Sequence, residues 1–362
     1  MRHFFSPTIF LMGFLLYACS EEATSPNDDP QSFETQKKEA MTTFENRLYD
    51  LSQLNVATPE QIGTIDFESA ANRFKTLLDS KPADPDLNVA FAMSEMFALY
   101  RDEHFRALLI SMRTSGAPQV PVGAKGLDLG FLPFNMMAMM SADLLAGNMI
   151  TMVRKGMLDP GGMAVWQQHF KNNLLPRIER ASRSFGVAET FQPGAGGEYQ
   201  FTLTGKMYGF PTGKPRYMDK TEIHLMHAYL EYMAFNLRTY LLIDFTASDF
   251  MGIDPDSMEL GVLPDEVVFM ADADVQGNAA MSNMENVFLN LTSSVEYLIG
   301  ETDDQSDDLI SKSPALTNEM LIGYIFLLNQ YYEDIDYYLG YLRTLIENTD
   351  LPDLPDPPGL GF

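Results

Sequence analysis

Residues 67–109 read FESAANRFKTLLDSKPADPDLNVAFAMSEMFALYRDEHFRALL, and this stretch decides the fold class. Phe67, Ala70, Ala71, Phe74, Leu77 and Leu78 recur at i, i+3, i+4 and i+7, the apolar stripe of a helix, with Asp66 just ahead of it. Lys81-Pro82 ends that helix, because proline has no N–H and disfavours the helical conformation in the residue before it. Asp84-Pro85-Asp86 starts the next one, with Asp84 as N-cap and proline at the first helical position. Leu87, Ala90, Phe91, Ser94, Phe97 and Ala98 then share a face. Two helices joined by so short a turn must lie antiparallel.

Working outward, most of the chain repeats the helical period. Residues 33–54 predict a first helix with Phe44, Leu48 and Leu51 on one side. After a Gly/Pro-containing loop at 114–130, the Met-rich stretch 131–154 reads as a helix buried in a bundle. Gly161-Gly162 breaks the chain, and a helix over 163–185 follows. It contains Trp166, the only tryptophan, and is kinked or split at Pro176. The strongest pattern runs from Asp219 to Phe245, capped by Thr221. Its stripe is Ile223, Met226, Leu230, Met233, Leu237, Tyr240 and Leu241, and apolar residues on its other faces predict a central, buried helix. Asp274 or Ser282 begins another helix with Met284, Phe288, Leu291, Val295 and Leu298 on one face. Ser313 or Thr317 begins the last, running to about Glu347. Met320, Tyr324, Leu327, Leu328, Tyr331, Ile335, Tyr338, Leu342 and Leu345 are expected inward on it.

Residues 186–219 differ in kind. Seven glycines and three prolines surround Tyr199–Thr204, whose alternating bulky residues predict one short strand, paired as a hairpin with Lys206–Phe210. The expected architecture is therefore all-α: one helical domain over 33–350, a Gly-rich insertion at 186–219, and a Pro-rich extended tail at 351–362.

A family resemblance enters on the opening stretch. Ala71 and Phe74, the Lys81-Pro82 stop, Asp84-Pro85-Asp86, the small residues Ala90 and Ser94, and then Asp102-Glu103-His104-Phe105-Arg106-Ala107 resemble a tetratricopeptide repeat. The match covers about one and a half units, with no clear recurrence at that period later in the chain. It implies an antiparallel helix-pair, tetratricopeptide-like stack with a groove for a partner.

The N-terminus supplies a location. Met1-Arg2-His3, an apolar run from Phe4 to Leu16, and Leu16-Tyr17-Ala18-Cys19 describe an export signal over 1–18 that is too short to remain as a membrane span. Leu16-x-Ala18-Cys19 resembles the lipobox of bacterial lipoproteins. That implies cleavage before Cys19, lipidation of its sulfur and attachment to a membrane through that lipid. The absence of aspartate after the cysteine favours the outer membrane, in the periplasmic leaflet or at the cell surface. Residues 19–32 then form an acidic, disordered tether. Cys19-Ser20-Glu21-Glu22 resembles the acidic tag of surface lipoproteins and reads equally as an ordinary linker. Cys19 is the only cysteine, so no intrachain disulfide forms and no thiol remains for catalysis. The net charge of −26 repels nucleic acid and anionic headgroups, while 46% hydrophobic residues suffice for a core.

Candidate chemistry is sparse. His224, His227 and Glu231 fall at i, i+3 and i+7, a spacing that presents two imidazoles and a carboxylate on one helical face. The His-Glu-x-x-His pattern is absent, and a further ligand would have to come from elsewhere, so the expectation is no metal. Asp272-x-Asp274-x-Gln276-Gly277 begins like a calcium loop but places Ala280 and Asn283 where ligands belong, so a capping turn is expected. Asp303, Asp304, Asp307 and Asp308 read as a solvated acidic loop. Nucleophile-elbow, phosphate-loop and dinucleotide motifs are lacking. The reading is thus no catalytic residue, no cofactor and no nucleic acid. The expected role is a lipid-anchored, non-enzymatic envelope scaffold or binding protein, with a protein partner or small ligand in a helical groove. The alternative is nutrient capture, of oligosaccharide or peptide, for an outer-membrane transporter. This follows from a similarity to starch-utilisation binding lipoproteins in being lipid-anchored and helical.

Overall fold

The computed structural model describes residues 30–54, 58–106, 160–193, 199–248, 268–301, 317–330 and 332. The expectations for Cys19 and the segments 1–18 and 19–29 lie outside them. So do those for the Met-rich helix 131–154, the acidic loop 302–308, the later tyrosines and the tail 351–362.

The described chain is mostly helical. Helix α1 (Pro30–Ser52) starts three residues before the expected Phe33 and buries Phe44, Leu48 and Leu51 as the stripe predicts. After the single turn α2 (Pro59–Gly63), α3 (Phe67–Ser80) and α4 (Pro85–Ala98) form the helix pair. Asp66 accepts the Ser69 N–H and Asp84 accepts the Leu87 N–H, so both N-caps are satisfied as read. Phe67 stacks on Phe97 at 4.7 Å, and Phe74 meets Phe44 edge-on at 5.8 Å. These contacts tie α3 to α4 and to α1. One expectation is corrected: α4 is buried on every side from Leu87 to Ala98, not on one face. Helix α6 packs against α4, where Glu95 is held by Arg177 Nε at 2.9 Å and Arg180 Nη2 at 3.1 Å.

Helix α5 (Pro160–His169), a π-helical segment (Phe170–Leu174) and α6 (Leu175–Thr190) run continuously. Gly161-Gly162 therefore does not break the chain. Pro160 opens the helix, and the first turn asks little of the residues in it, since its N–H groups have no intrahelical acceptor in any case. Pro176 is accommodated without a split. It lacks the N–H that would close the preceding turn, and the widened turn just before it takes up the mismatch.

Helix α6 also runs four residues past Gly186, so the insertion proper begins after Thr190. Its strand β1 (Phe201–Leu203) pairs antiparallel with β2 (Arg216–Met218), in the register Phe201 to Met218, and not with Lys206–Phe210. Residues 205–213 instead coil into successive turns, closed by Phe210 N–H to Gly205 O at 2.7 Å and Gly213 N–H to Phe210 O at 2.7 Å. A Cβ at Gly205 would lie 2.3 Å from the Phe210 carbonyl oxygen, which is why glycine is required there. The insertion is part of the core. Phe201, Leu203, Met207 and Met218 are buried, Thr204 Oγ1 donates to Glu45 on α1, and Tyr199 OH donates to Asp86 Oδ1 at 3.2 Å.

Helix α7 (Lys220–Tyr240) is the central one, and its predicted stripe is buried throughout. Its cap is Asp219, not Thr221: the Asp219 carboxylate accepts the Thr221 N–H, and Glu222 reaches back to the Asp219 N–H. After α7, an isolated bridge joins Ile243 to Phe269. Helix α8 (Ala273–Gly300) begins behind Asp272, but the expected side-chain cap is not made: the Asp272 carboxylate accepts from the side chains of Lys171 at 2.7 Å and Gln276 at 3.1 Å and not from a backbone N–H of the first turn. Its inward face is Met284, Val287, Asn290, Ser294 and Leu298; Phe288, Leu291 and Val295 are only half-buried. In the helix over 318–330, Leu321 is inward, while Met320, Tyr324 and Leu327, expected inside, are exposed together with Ile322 and Phe326. Adjacent apolar residues all round this segment give the period no face to choose.

Candidate functional site

Three packed helices each carry a polar residue set at heptad-like spacing, and the sets meet. Helix α6 supplies Ser182 and Glu189, α7 supplies His224, His227 and Glu231, and α8 supplies Asn283, Asn286 and Asn290. Spacings of three, four and seven put these residues on one face of each helix. Gly186, between Ser182 and Glu189 on the same face, places its backbone against the His227 ring, with a Cβ position 3.4 Å from Cε1.

His227 is the hub. Its Nδ1 lies 2.9 Å from Glu189 Oε2, and its Nε2 lies 3.1 Å from Ser182 Oγ and 3.5 Å from Glu231 Oε1. Ser182 Oγ in turn donates to Glu231 Oε1. The other Glu231 oxygen accepts from Asn283 Nδ2 at 2.6 Å and Asn286 Nδ2 at 3.4 Å. His224 turns its Nδ1 to Glu189 Oε2 at 3.1 Å and to Asn290 Oδ1 at 2.9 Å.

Burial opposes charge on the His227 imidazole, but hydrogen bonds and the negative charges of Glu189 and Glu231 override it and push the pKa up to about 9. Burial likewise opposes the Glu189 anion, yet the hydrogen bonds from His224 and His227 hold its carboxyl down to about 2. Glu231, also against the cost of burial, is lowered by His227, Asn283 and Ser182. The neutral-pH state is an imidazolium clamped between two carboxylates.

This state decides the chemistry. Ser182, His227 and Glu189 are arranged in line like a nucleophile, base and orienting acid. A base must be able to take a proton, and His227 already holds one on each nitrogen. Ser182 is 5% exposed and spends its hydroxyl proton on Glu231. The cluster is a buried electrostatic lock between α6, α7 and α8. The structure does bring together His224, His227 and Glu231, the residues singled out as metal candidates, but the two imidazoles turn to Glu189 and the donors around Glu231 fill its oxygens. Sequence reasoning missed Glu189, Ser182 and the three asparagines. The signal was present as Asn283, Asn286 and Asn290 at the i, i+3, i+7 spacing of the helix they face.

A second cluster was also missed. Among the described residues, Asp102, His104 and His169 bring one ligand atom each to within 4.8 Å of one another. His169 ends α5; Asp102 and His104 flank the start of the short helical turn 103–106. His169 Nε2 is 2.7 Å from Asp102 Oδ2, and the His104 ring stacks on the His169 ring at 4.2 Å. Asp102 and His169 are 67 positions apart, so no local spacing announced them. Among the described residues no helix is long and apolar enough to cross a membrane. Comparison with known proteins gives no matching family model, no matching curated protein and no matching solved structure.

Proposed function

We propose that the chain is a lipid-anchored cell-envelope binding or scaffold protein that works without catalysis, held at the outer membrane through Cys19. The observation that carries this reading is one of order along the chain. The lipobox-like Leu16-Tyr17-Ala18-Cys19 is followed by an acidic stretch, and helix α1 opens at Pro30. A helical body placed so soon after the cysteine sits close to the membrane surface. The locked state of His227 supports a non-enzymatic role. The exposed Met320, Tyr324 and Leu327, which share one side of the helix over 318–330, support partner binding, because contiguous exposed apolar surface commonly marks an interaction site. In the same reading the α3–α4 pair, with Ala90 and Ser94 at its contacts, is the first unit of a tetratricopeptide-like stack.

The test is metabolic labelling with a palmitate analogue in a bacterial host. Label is expected in the wild-type chain and in the membrane fraction. Cys19→Ala is expected to remove both, since one anchoring modification carries the attachment. Label-free wild-type protein, or Cys19→Ala protein in the same membrane fraction, would overturn the reading.

A further inference from the structure

We propose that Asp102, His104 and His169 form a mononuclear site for a divalent transition-metal ion of the zinc type, with at least one coordination position left for water or a ligand. The inference is independent of the anchoring reading above.

Two imidazoles and one carboxylate are a donor set that zinc and its first-row neighbours select. The carboxylate is already divided between two tasks: Asp102 Oδ1 accepts the Phe105 N–H at 2.9 Å, which fixes its plane, and Oδ2 points at His169. Bonds of about 2.0–2.1 Å in a tetrahedron put ligand atoms roughly 3.3 Å apart. The three atoms here already lie within 4.8 Å, so a modest closure suffices. A plain structural reading accounts for the His169–Asp102 hydrogen bond. It gives no reason for a second imidazole stacked on the first beside the same carboxylate.

The surroundings are also those of a ligand set. His169 Nδ1 lies 3.0 Å from the Asn173 side-chain amide. Turning that amide over presents Oδ1 as an acceptor, which fixes the proton on Nδ1 and frees Nε2 for a metal, the role that outer partners play for ligating histidines. Asn173 reaches His169 across the widened turn Phe170–Leu174, a distortion that recurs at functional sites in helices. Trp166 forms an apolar wall: its ring meets His104 edge-on at 5.6 Å and Phe170 at 5.7 Å. Asp102 and His169 are about one-fifth exposed, so the site is sheltered yet open to solvent on one side.

The adjacent tryptophan provides the assay. It is the only one in the chain and its ring meets His104 edge-on, so cobalt(II) bound here is expected to quench its emission. Full-length protein in detergent is titrated with cobalt(II), then with zinc(II). The expected result is quenching complete at one equivalent and reversed by zinc. His169→Ala and His104→Gln are expected to weaken cobalt binding at least about tenfold, and Asn173→Ala, which is not a ligand, by about tenfold. Unchanged far-UV circular dichroism serves as the control on folding. Absence of quenching in the wild type at stoichiometric cobalt, or equal midpoints in wild type and folded His104→Gln, would overturn the proposal.

Discussion

Glu231→Ala is expected to destabilise the protein by ~3–5 kcal/mol, the range found when one member of a buried charge network is removed. Glu231 is 6% exposed, and its two oxygens accept from Ser182, Asn283 and Asn286 while balancing His227. Its loss leaves the imidazolium with one anion, Glu189, instead of two, and takes the acceptor from the Ser182 hydroxyl and the Asn283 amide in a largely buried site, each change with its own desolvation cost. Glu231→Gln is the informative companion. It keeps the volume and an acceptor for Asn283 while removing the charge, so its cost is expected near ~1.5–3 kcal/mol, that of a hydrogen bond to a charged group. Urea unfolding midpoints at constant slope measure both. A Glu231→Ala protein within ~1 kcal/mol of wild type would mean that the network contributes little to stability.

The same network fixes the pH dependence. His227 rises from its ordinary 6.5 to about 9 in the fold, so its contribution is fully present below pH 6.5 and is lost as pH rises through 9. Glu189 falls from 4.5 to about 2, so its contribution is present above pH 4.5 and is lost as pH falls towards 2. Stability should therefore be greatest between pH 4.5 and 6.5 and decline on both sides, with a slope approaching ~1.4 kcal/mol per pH unit for each proton involved. One ion pair underlies both limbs, so the two contributions do not add. In Glu231→Gln the alkaline decline should begin at lower pH, because His227 loses one of the two anions that hold its proton. An unfolding midpoint that is flat from pH 6.5 to 9 would contradict the assignment of His227 as an imidazolium.

How far the fold was legible depended on how local its causes were. The stripes of α1 and α3, the Asp66 and Asp84 caps and the all-round burial of α7 follow from residues within a turn or two of each other, and the sequence states them outright. Partner choice was not local. Tyr199–Thr204 announced a strand, but whether it pairs with Lys206–Phe210 or Arg216–Met218 depends on how the intervening glycines and prolines turn, and the nearer segment was the wrong one. Gly186 reads as a loop opener because a glycine inside a helix has no local advantage, yet it sits within α6, facing the His227 ring of the next helix. The polar residues misled most. Asn283, Asn286 and Asn290 look like a solvated face until α7 supplies carboxylates and imidazoles opposite them. His104 and His169 become a pair only when α5 folds back beside the 103–106 turn.

Phe74→Ala is the other large effect, ~3–5 kcal/mol for an aromatic side chain removed from a closed core. Phe74 is fully buried and meets Phe44 edge-on, an apolar tie between α3 and α1. Polar ties of α1 run alongside its buried stripe: Lys37 to Asp84 and Asp86 at 2.8 and 3.0 Å, Glu45 to Thr204, and Asn46 to Lys206 at 2.5 Å. Such surface pairs are worth at most about 1 kcal/mol each and cannot replace the ring. The loss should therefore fall unevenly. Amide exchange is expected to accelerate across residues 30–52 well before it does across α7, whose contacts with α6 and α8 are untouched. Phe44→Ala should act on the same tie, and the double variant should cost less than the two singles together by ~0.5–1.5 kcal/mol, the usual coupling of an aromatic pair. Equal acceleration in α1 and α7 would instead make the body one cooperative unit. In the lipid-anchored reading α1 is the helix next to the membrane, so a selective loosening there would lengthen the reach of the remaining helices from the surface without unfolding them.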